Sequence, residues 1–153
     1  MMSSGVPLAP QRLDRIVDEV LSSAAPALAA SQVGINRQYD PNLPEYPMDQ
    51  ALVREAVAIL LDAAIKRIHP DRVLRVTLRA NRNALMFALK APGDGIPAAE
   101  RETLFTGEPR PGTLARARDC IGEHGGVVWA NGIAGLGITF YFTLPTRLPR
   151  LTT

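Results

Sequence analysis

The stretch HGGVVWANGIAGLGITFYFTLP, residues 124–145, carries the reading of the fold. Gly125 and Gly126 close the segment before them, because glycine reaches the left-handed backbone that ends a helix. VVWAN (127–131) and GITFYFTLP (137–145) are rich in β-branched and aromatic residues and read as two strands. GIAGLG (132–137) turns one into the other, and Pro145 ends the second. The chain therefore closes on a helix that runs into an antiparallel hairpin.

Working toward the N-terminus, Thr113 is placed to cap a helix LARARDCIGEH. VLRVTLRA (73–80) and NALMFALK (83–90) alternate with period two and are joined by a tight Asn81-Arg82-Asn83 turn. Asp49 can cap QALVREAVAILLDAAIKRI, a helix apolar over more than half its circumference and so central. PNLPEYP (41–47) holds three prolines and predicts an extended loop. Val33–Tyr39 reads as a strand. Before it, Leu13, Ile16, Val17, Val20 and Leu21 form one apolar helix face, with Pro26 kinking or ending that helix. The order α-β-α-β-β-α-α-β-β predicts an α+β, two-layer α/β sandwich, with helices on one face of a mixed, largely antiparallel sheet. Residues 1–10 read as a flexible N-terminus, 11–146 as the domain and 147–153 as a frayed C-terminal tail.

Length and composition agree with one folded domain: 153 residues, 46% hydrophobic and 21% charged. A net charge of +2, with arginines scattered rather than clustered, argues against nucleic acid as a partner. Cys120 is the only cysteine, so no internal disulfide is possible; this fits a reducing, cytoplasmic setting. MMSSGVPLAP lacks the basic and apolar regions of a signal peptide. No apolar run approaches the ~20 residues of a membrane helix, which predicts no membrane contact. His69 and His124 make no zinc spacing with Cys120, so no metal site is expected from these residues.

The motif order resembles the ATP-binding domain of sensor histidine kinases, within the gyrase, Hsp90, histidine kinase and MutL superfamily (the GHKL fold). The likeness runs from about Leu13 to Pro145. His124-Gly125-Gly126 matches the family's HGG. Gly135-Leu136-Gly137, Thr139, Phe140, Leu144 and Pro145 match its G-x-G-x-x-F…LP. INRQYDPNLPEYPMDQALV (35–53) looks most like the nitrogen-regulation branch.

What the resemblance implies about ligands is read position by position. The family's N-box, N-L-L-x-N-A-I-K, falls on Ile59 to Lys66. Its second Asn, which gives an oxygen to Mg²⁺, is Ala63 here, and a methyl ligates nothing. Asp62 is one residue away, but one step along a helix turns a side chain by about 100°. Lys66 matches a lysine near the phosphates. The loop KAPGDGIPAAERETLF (90–105) keeps Gly93, Gly95, Ile96 and Pro97 of the family's D-x-G-x-G-I-P. The Asp that accepts from the adenine amine is Ala91, and leaving that amine unpaired costs roughly 1–3 kcal/mol. Asp94 is the nearest carboxylate in the loop. The phosphate-binding G-x-G-L falls on Pro111-Gly112-Thr113-Leu114. One glycine is lost to a proline without an N–H, the other to threonine. Gly112 and Thr113 can still form a small anion site at a helix start, with Arg110 or Arg116 near.

Metal, base and phosphate contacts are thus altered together. Three losses of ~1.4 kcal/mol each lower affinity about a thousandfold. The sequence therefore predicts a degenerate domain: a pseudo-ATPase without catalytic residues or a useful cofactor. Its vestigial pocket would lie at Asp62, Ala63, Lys66, Ala91, Gly93, Asp94, Gly95, Ile96, Gly112, Thr113 and Thr139. It would act through protein contacts with a histidine-phosphotransfer domain, a response regulator or a sensor kinase. The alternative is an active ATP/Mg²⁺-binding kinase domain in which Asp62, Asp94 and Lys66 take over, phosphorylating a histidine in trans or in a preceding segment. Only about a dozen residues precede the first helix and no histidine precedes His69, so the domain is expected either to be part of a longer kinase or to work in trans.

Overall fold

The computed structural model describes residues 8–133 and 135–146. Its elements are β1 (Ala9–Gln11), α1 (Leu13–Ser23), α2 (Ala25–Ala30), β2 (Gly34–Tyr39), β3 (Tyr46–Met48), α3 (Gln50–Arg67), β4 (Val73–Ala80), β5 (Ala84–Pro92), α4 (Ala98–Arg101), α5 (Leu114–Gly122), β6 (Val127–Ile133) and β7 (Gly137–Pro145). Five strands form one sheet in the order β2-β4-β5-β7-β6. β2 runs parallel to β4, and the other pairs are antiparallel. This is the two-layer sandwich the sequence predicts.

Alternation decides which side of the sheet is covered. Leu74, Val76 and Leu78 on β4, Leu85, Phe87 and Leu89 on β5, and Ile138, Phe140, Phe142 and Leu144 on β7 are all buried. They share one face, because successive strand residues point to opposite sides. Phe87 and Phe142, Cα partners across β5 and β7, stack at 4.6 Å. The helices lie over this face, with α3 packed against α1, α5 and β5. The role of α3 explains its composition: eight of its residues are buried, including Val57, Leu60, Leu61 and Ala64. α1 buries Leu13, Ile16, Val17, Val20 and Leu21, the five positions its periodicity picks out. Asp18 ties α1 to β2 by accepting from Tyr39 Oη at 2.8 Å and Arg37 Nε at 3.1 Å.

The caps fall where the sequence puts them. Asp49 Oδ1 accepts from Leu52 N at 3.0 Å and Thr113 Oγ1 from Arg116 N at 3.2 Å, each relieving an orphan donor of a first helical turn. Asn81 shapes the β4–β5 turn, its side chain accepting from Asn83 N and Ala84 N.

The structure moves the ends of three elements, with β5 running on to Pro92, β6 running on to Ile133 and α5 ending at Gly122, and it differs from the sequence reading in three further places. Ala9 and Pro10, expected in a flexible N-terminus, pair antiparallel with Met48 and Pro47, so part of the proline-rich loop is strand β3. Three-residue strands have no readable period, and the two prolines face each other, where neither supplies an N–H to the ladder. The first helix breaks at Ala24 rather than at Pro26, which sits in the opening turn of α2, where a missing N–H costs no bond. The second strand begins at Gly34, one residue late. Residues 1–7, Ala134 of the hairpin turn and the 147–153 tail lie outside the described residues.

Candidate nucleotide site

The positions singled out by the sequence fall on the last turns of α3, the end of β5 and the loop after it, the segment before α5, and β7. On α3, Ala63 is 8% exposed and Ile59 beside it is buried. Asp62 faces elsewhere. It is 62% exposed, pairs with Lys66 at 2.9 Å one turn on, and lines a groove of about 720 Å³ between α1 and α3. The 100° step along the helix thus separates Asp62 from the Ala63 direction. Lys66 is engaged by the same pair, which lies open to solvent.

Ala91, on β5, is fully buried and sits opposite Ile138 of β7. The loop beyond it is fastened on two sides. His69 N donates to Pro92 O at 3.1 Å, and Ile68 bridges Gly93, which ties the loop to the end of α3. Gly93 N donates to Leu136 O and Gly135 N to Asp94 O, which ties it to the β6–β7 turn. Gly93 is required for this approach: a Cβ there would collide with the carbonyl of Arg67. Gly95 adopts φ 74°, a left-handed conformation that favours glycine. Ile96 then turns inward to 2% exposure against Gly132. Asp94 turns outward, 91% exposed, and its Oδ1 lies 2.8 Å from His69 Nε2.

On the phosphate side, Thr113 is occupied as a cap, its Oγ1 also donating to Arg110 O at 2.7 Å. Gly112 has φ 82° in open space. Both arginines of this region have carboxylate partners. Arg116 holds Glu55 through two hydrogen bonds, 2.6 and 2.9 Å, and Arg110 pairs with Glu108. The bonds from Arg116 hold the Glu55 carboxyl below its ordinary range, against the burial that raises it. Burial, and then the neighbouring Glu55 charge, push the Cys120 thiol up to about 11, so this residue is a packed core group and no nucleophile.

Ala63, Ala91, Gly93, Gly95 and Ile96 lie where the end of α3 meets the end of β5. Thr139 does not join them. On β7 the helix-side position beside Ala91 belongs to Ile138, and Thr139 points to the opposite face between Lys90 and Asn131. The His69–Asp94 contact escapes sequence reasoning, since 25 positions separate the two and no motif pairs them. Arg67 is a second such residue, reaching back to Ala63 O at 3.4 Å. Among the described residues, no group of three or more His, Cys, Asp or Glu is arranged to hold a metal ion. On the register of the family motif, the donor set does not fit the Mg²⁺ that the fold family implies: the position the motif assigns to the ligand is Ala63, a methyl, and the adjacent Asp62 is turned away and paired.

The sequence pattern described as histidine kinase-, DNA gyrase B-, and HSP90-like ATPase matches residues 48–148, and the chain belongs to this family. Among curated proteins it is similar to the adaptive-response sensory kinase SasA of Synechococcus sp. (strain JA-3-3Ab), 27% identical over 145 residues. That match covers 88% of this chain but 38% of the relative, so the chain spans well under half of the protein it matches. Among solved structures, the nucleotide-free catalytic domain of the histidine kinase ThkA superposes with a TM-score of 0.82 at 19% identity, covering 92% of this chain and 97% of that one. ThkA in complex with the response regulator protein TrrA gives 0.80 at 18% identity, covering 92% of this chain and 42% of that one. At these identities the structures establish the fold, a histidine-kinase catalytic sandwich.

Proposed function

We propose that this domain is a pseudo-ATPase of two-component signalling. On this reading it keeps the sandwich of a histidine-kinase catalytic domain as a docking module and does not use Mg-ATP. The observation that carries the reading is the pair of buried methyls, Ala63 and Ala91, at the positions that the family motifs assign to metal and base, with both nearby carboxylates engaged elsewhere. An active site built on Asp62 and Asp94 would need Asp62 to leave Lys66 and turn around α3. It would also need Asp94, which points outward from a loop fastened on two sides, to leave His69 and turn inward. The cations left for phosphate are Lys66, Arg110 and Arg116, each already held by a carboxylate.

The partner on this reading is a response regulator, a histidine-phosphotransfer helix pair or an active sensor kinase, met in the cytoplasm. The complex of ThkA with a response regulator supports the first of these by analogy of fold. Among the described residues, no helix is long and apolar enough to cross a membrane. The nitrogen-regulation likeness rests on residues 35–53 alone, and the SasA relative points to a different branch.

Calorimetric titration with ATP and Mg²⁺, with thermal unfolding alongside, tests the proposal. A domain of about 10 μM affinity gains about 2.7 kcal/mol of stability at 1 mM ATP. The expected result is neither heat nor stabilisation at that concentration. A micromolar dissociation constant would overturn the reading in favour of an active kinase domain.

A further inference from the structure

The face of the five-stranded sheet turned away from the helices bears its own chemistry. Register places its side chains in rows across the strands. One row runs Asn36, Arg75, Lys90, Thr139, Asn131, and the next Gln38, Thr77, Ala88, Tyr141, Trp129. Arg79 follows two positions beyond Thr77, about 13 Å along β4 from Arg75. Arg75, Arg79 and Lys90 are all exposed, and none of the outward strand positions is Asp or Glu. Among the described residues, none of the three has a carboxylate within salt-bridge distance, although most other ion pairs of the molecule are made by arginine.

Arg75 and Lys90 are direct Cα partners on adjacent strands. Like charges so placed repel and destabilise a sheet. Beside them Trp129 and Tyr141 stack at 5.1 Å with an interplanar angle of 11°, and Val127 is 58% exposed on the same face. Arginine and large aromatics are the residues that recognition surfaces favour.

We propose that this open sheet face docks an acidic protein surface: carboxylates over Arg75, Lys90 and Arg79, and an apolar side chain against the Trp129–Tyr141 pair. The charge pattern selects the partner, since a carboxylate row would neutralise the Arg75–Lys90 repulsion. The aromatic geometry selects protein over single-stranded nucleic acid. A base platform needs ring faces open for successive bases, whereas Trp129 and Tyr141 each cover one face of the other. The inference builds on the reading of the domain as a protein-contact module. Titration with ATP tests that reading separately and leaves the experiment below unaffected.

Trp129 is the only tryptophan, so its fluorescence reports this face without a label. The full chain is titrated with a peptide alternating Glu and Leu, with its Lys–Leu counterpart, and with oligo-dT. The acidic peptide should give a saturable change in Trp129 emission, weakened about five- to tenfold by Arg75→Glu or Lys90→Glu. Arg15→Glu, which changes net charge equally on α1, should leave it within about twofold. Arg75→Glu turns a repelling cross-strand pair into an attracting one, so its melting temperature should not fall, and misfolding cannot account for lost binding. An unchanged emission, an equal response to the Lys–Leu peptide or an equal effect of Arg15→Glu overturns the proposal. A stronger response to oligo-dT also overturns it and assigns the face to nucleic acid.

Discussion

The backbone N–H of Asp49 donates to Nε2 of His124 at 2.9 Å, across 75 positions of sequence. His124 is therefore an acceptor at Nε2, and its Nδ1 carries the proton donated to Cys120 O at 2.9 Å. One ring thus joins the N-cap of α3 to the last turn of α5. His124→Ala removes both bonds and leaves a partly buried N–H and a carbonyl unpaired. The expected loss is about 1–3 kcal/mol, read as a lower urea midpoint with an unchanged slope. An unchanged midpoint would mean that water replaces both partners at no cost.

A second link between α3 and α5 is the Glu55–Arg116 pair, which depends on pH. Arg116 lowers the folded-state value of Glu55 below its ordinary 4.5. A group whose folded value is depressed stabilises the fold above its unfolded value, and that stability is lost as pH falls through the folded value. Wild type should therefore exceed Glu55→Gln in stability at pH 7, and the gap should close below pH 4.5. Both side chains are about one-third exposed, so solvent screening keeps the gap modest, about 1 kcal/mol or less. Urea unfolding at pH 7, 5 and 3.5 measures it. A gap as wide at pH 3.5 as at pH 7 would show that packing, and not charge, couples these residues.

The layers, the five-stranded sheet and both side-chain caps are legible in the sequence because each follows from a local period or a cap at fixed spacing. β1 and β3 are not, because their pairing is made by backbone between residues with no alternation. Ala63 and Ala91 can be read off motif registers, but the directions of Asp62 and Asp94 cannot. Those depend on partners, Lys66 within one helix turn and His69 across a loop. Thr139 shows the limit of motif transfer, since a match in order does not say which side of a strand a residue faces. The role of His124 was half readable. Its bond to the end of α5 is local, whereas its bond to Asp49 exists only once α3 and α5 pack together.

Gly93 should be the least replaceable residue of the β5–α4 loop. Its Cα packs on the carbonyl of Arg67, and the Ile68–Gly93 bridge leaves neither backbone room to move. Gly93→Ala should cost about 1–3 kcal/mol by overpacking. Gly112→Ala meets no atom and suffers only its left-handed backbone, about 1–2 kcal/mol. Hydrogen exchange separates the two. Gly93→Ala should speed exchange at His69, whose N–H bonds Pro92 O, and Gly112→Ala should not. Equal exchange at His69 in both variants would mean that the loop is not fastened to α3.

Restoring the family's ligand residues tests the site from the opposite direction. Ala91 is fully buried beside Ile138, so Ala91→Asp places a carboxylate in apolar surroundings with no partner. Without nucleotide it should lower stability by about 3 kcal/mol. Ala63→Asn, at a position 8% exposed, should cost less, about 1 kcal/mol. With ATP and Mg²⁺ the order should reverse, because each restored contact is worth about tenfold in affinity. The double variant should then be stabilised by millimolar Mg-ATP where wild type is not, as seen in paired melting curves. A stable Ala91→Asp without nucleotide would mean that water already reaches Ala91. A double variant indifferent to Mg-ATP would place the decisive loss on the phosphate side, where Pro111 and the Arg116–Glu55 pair stand in the way.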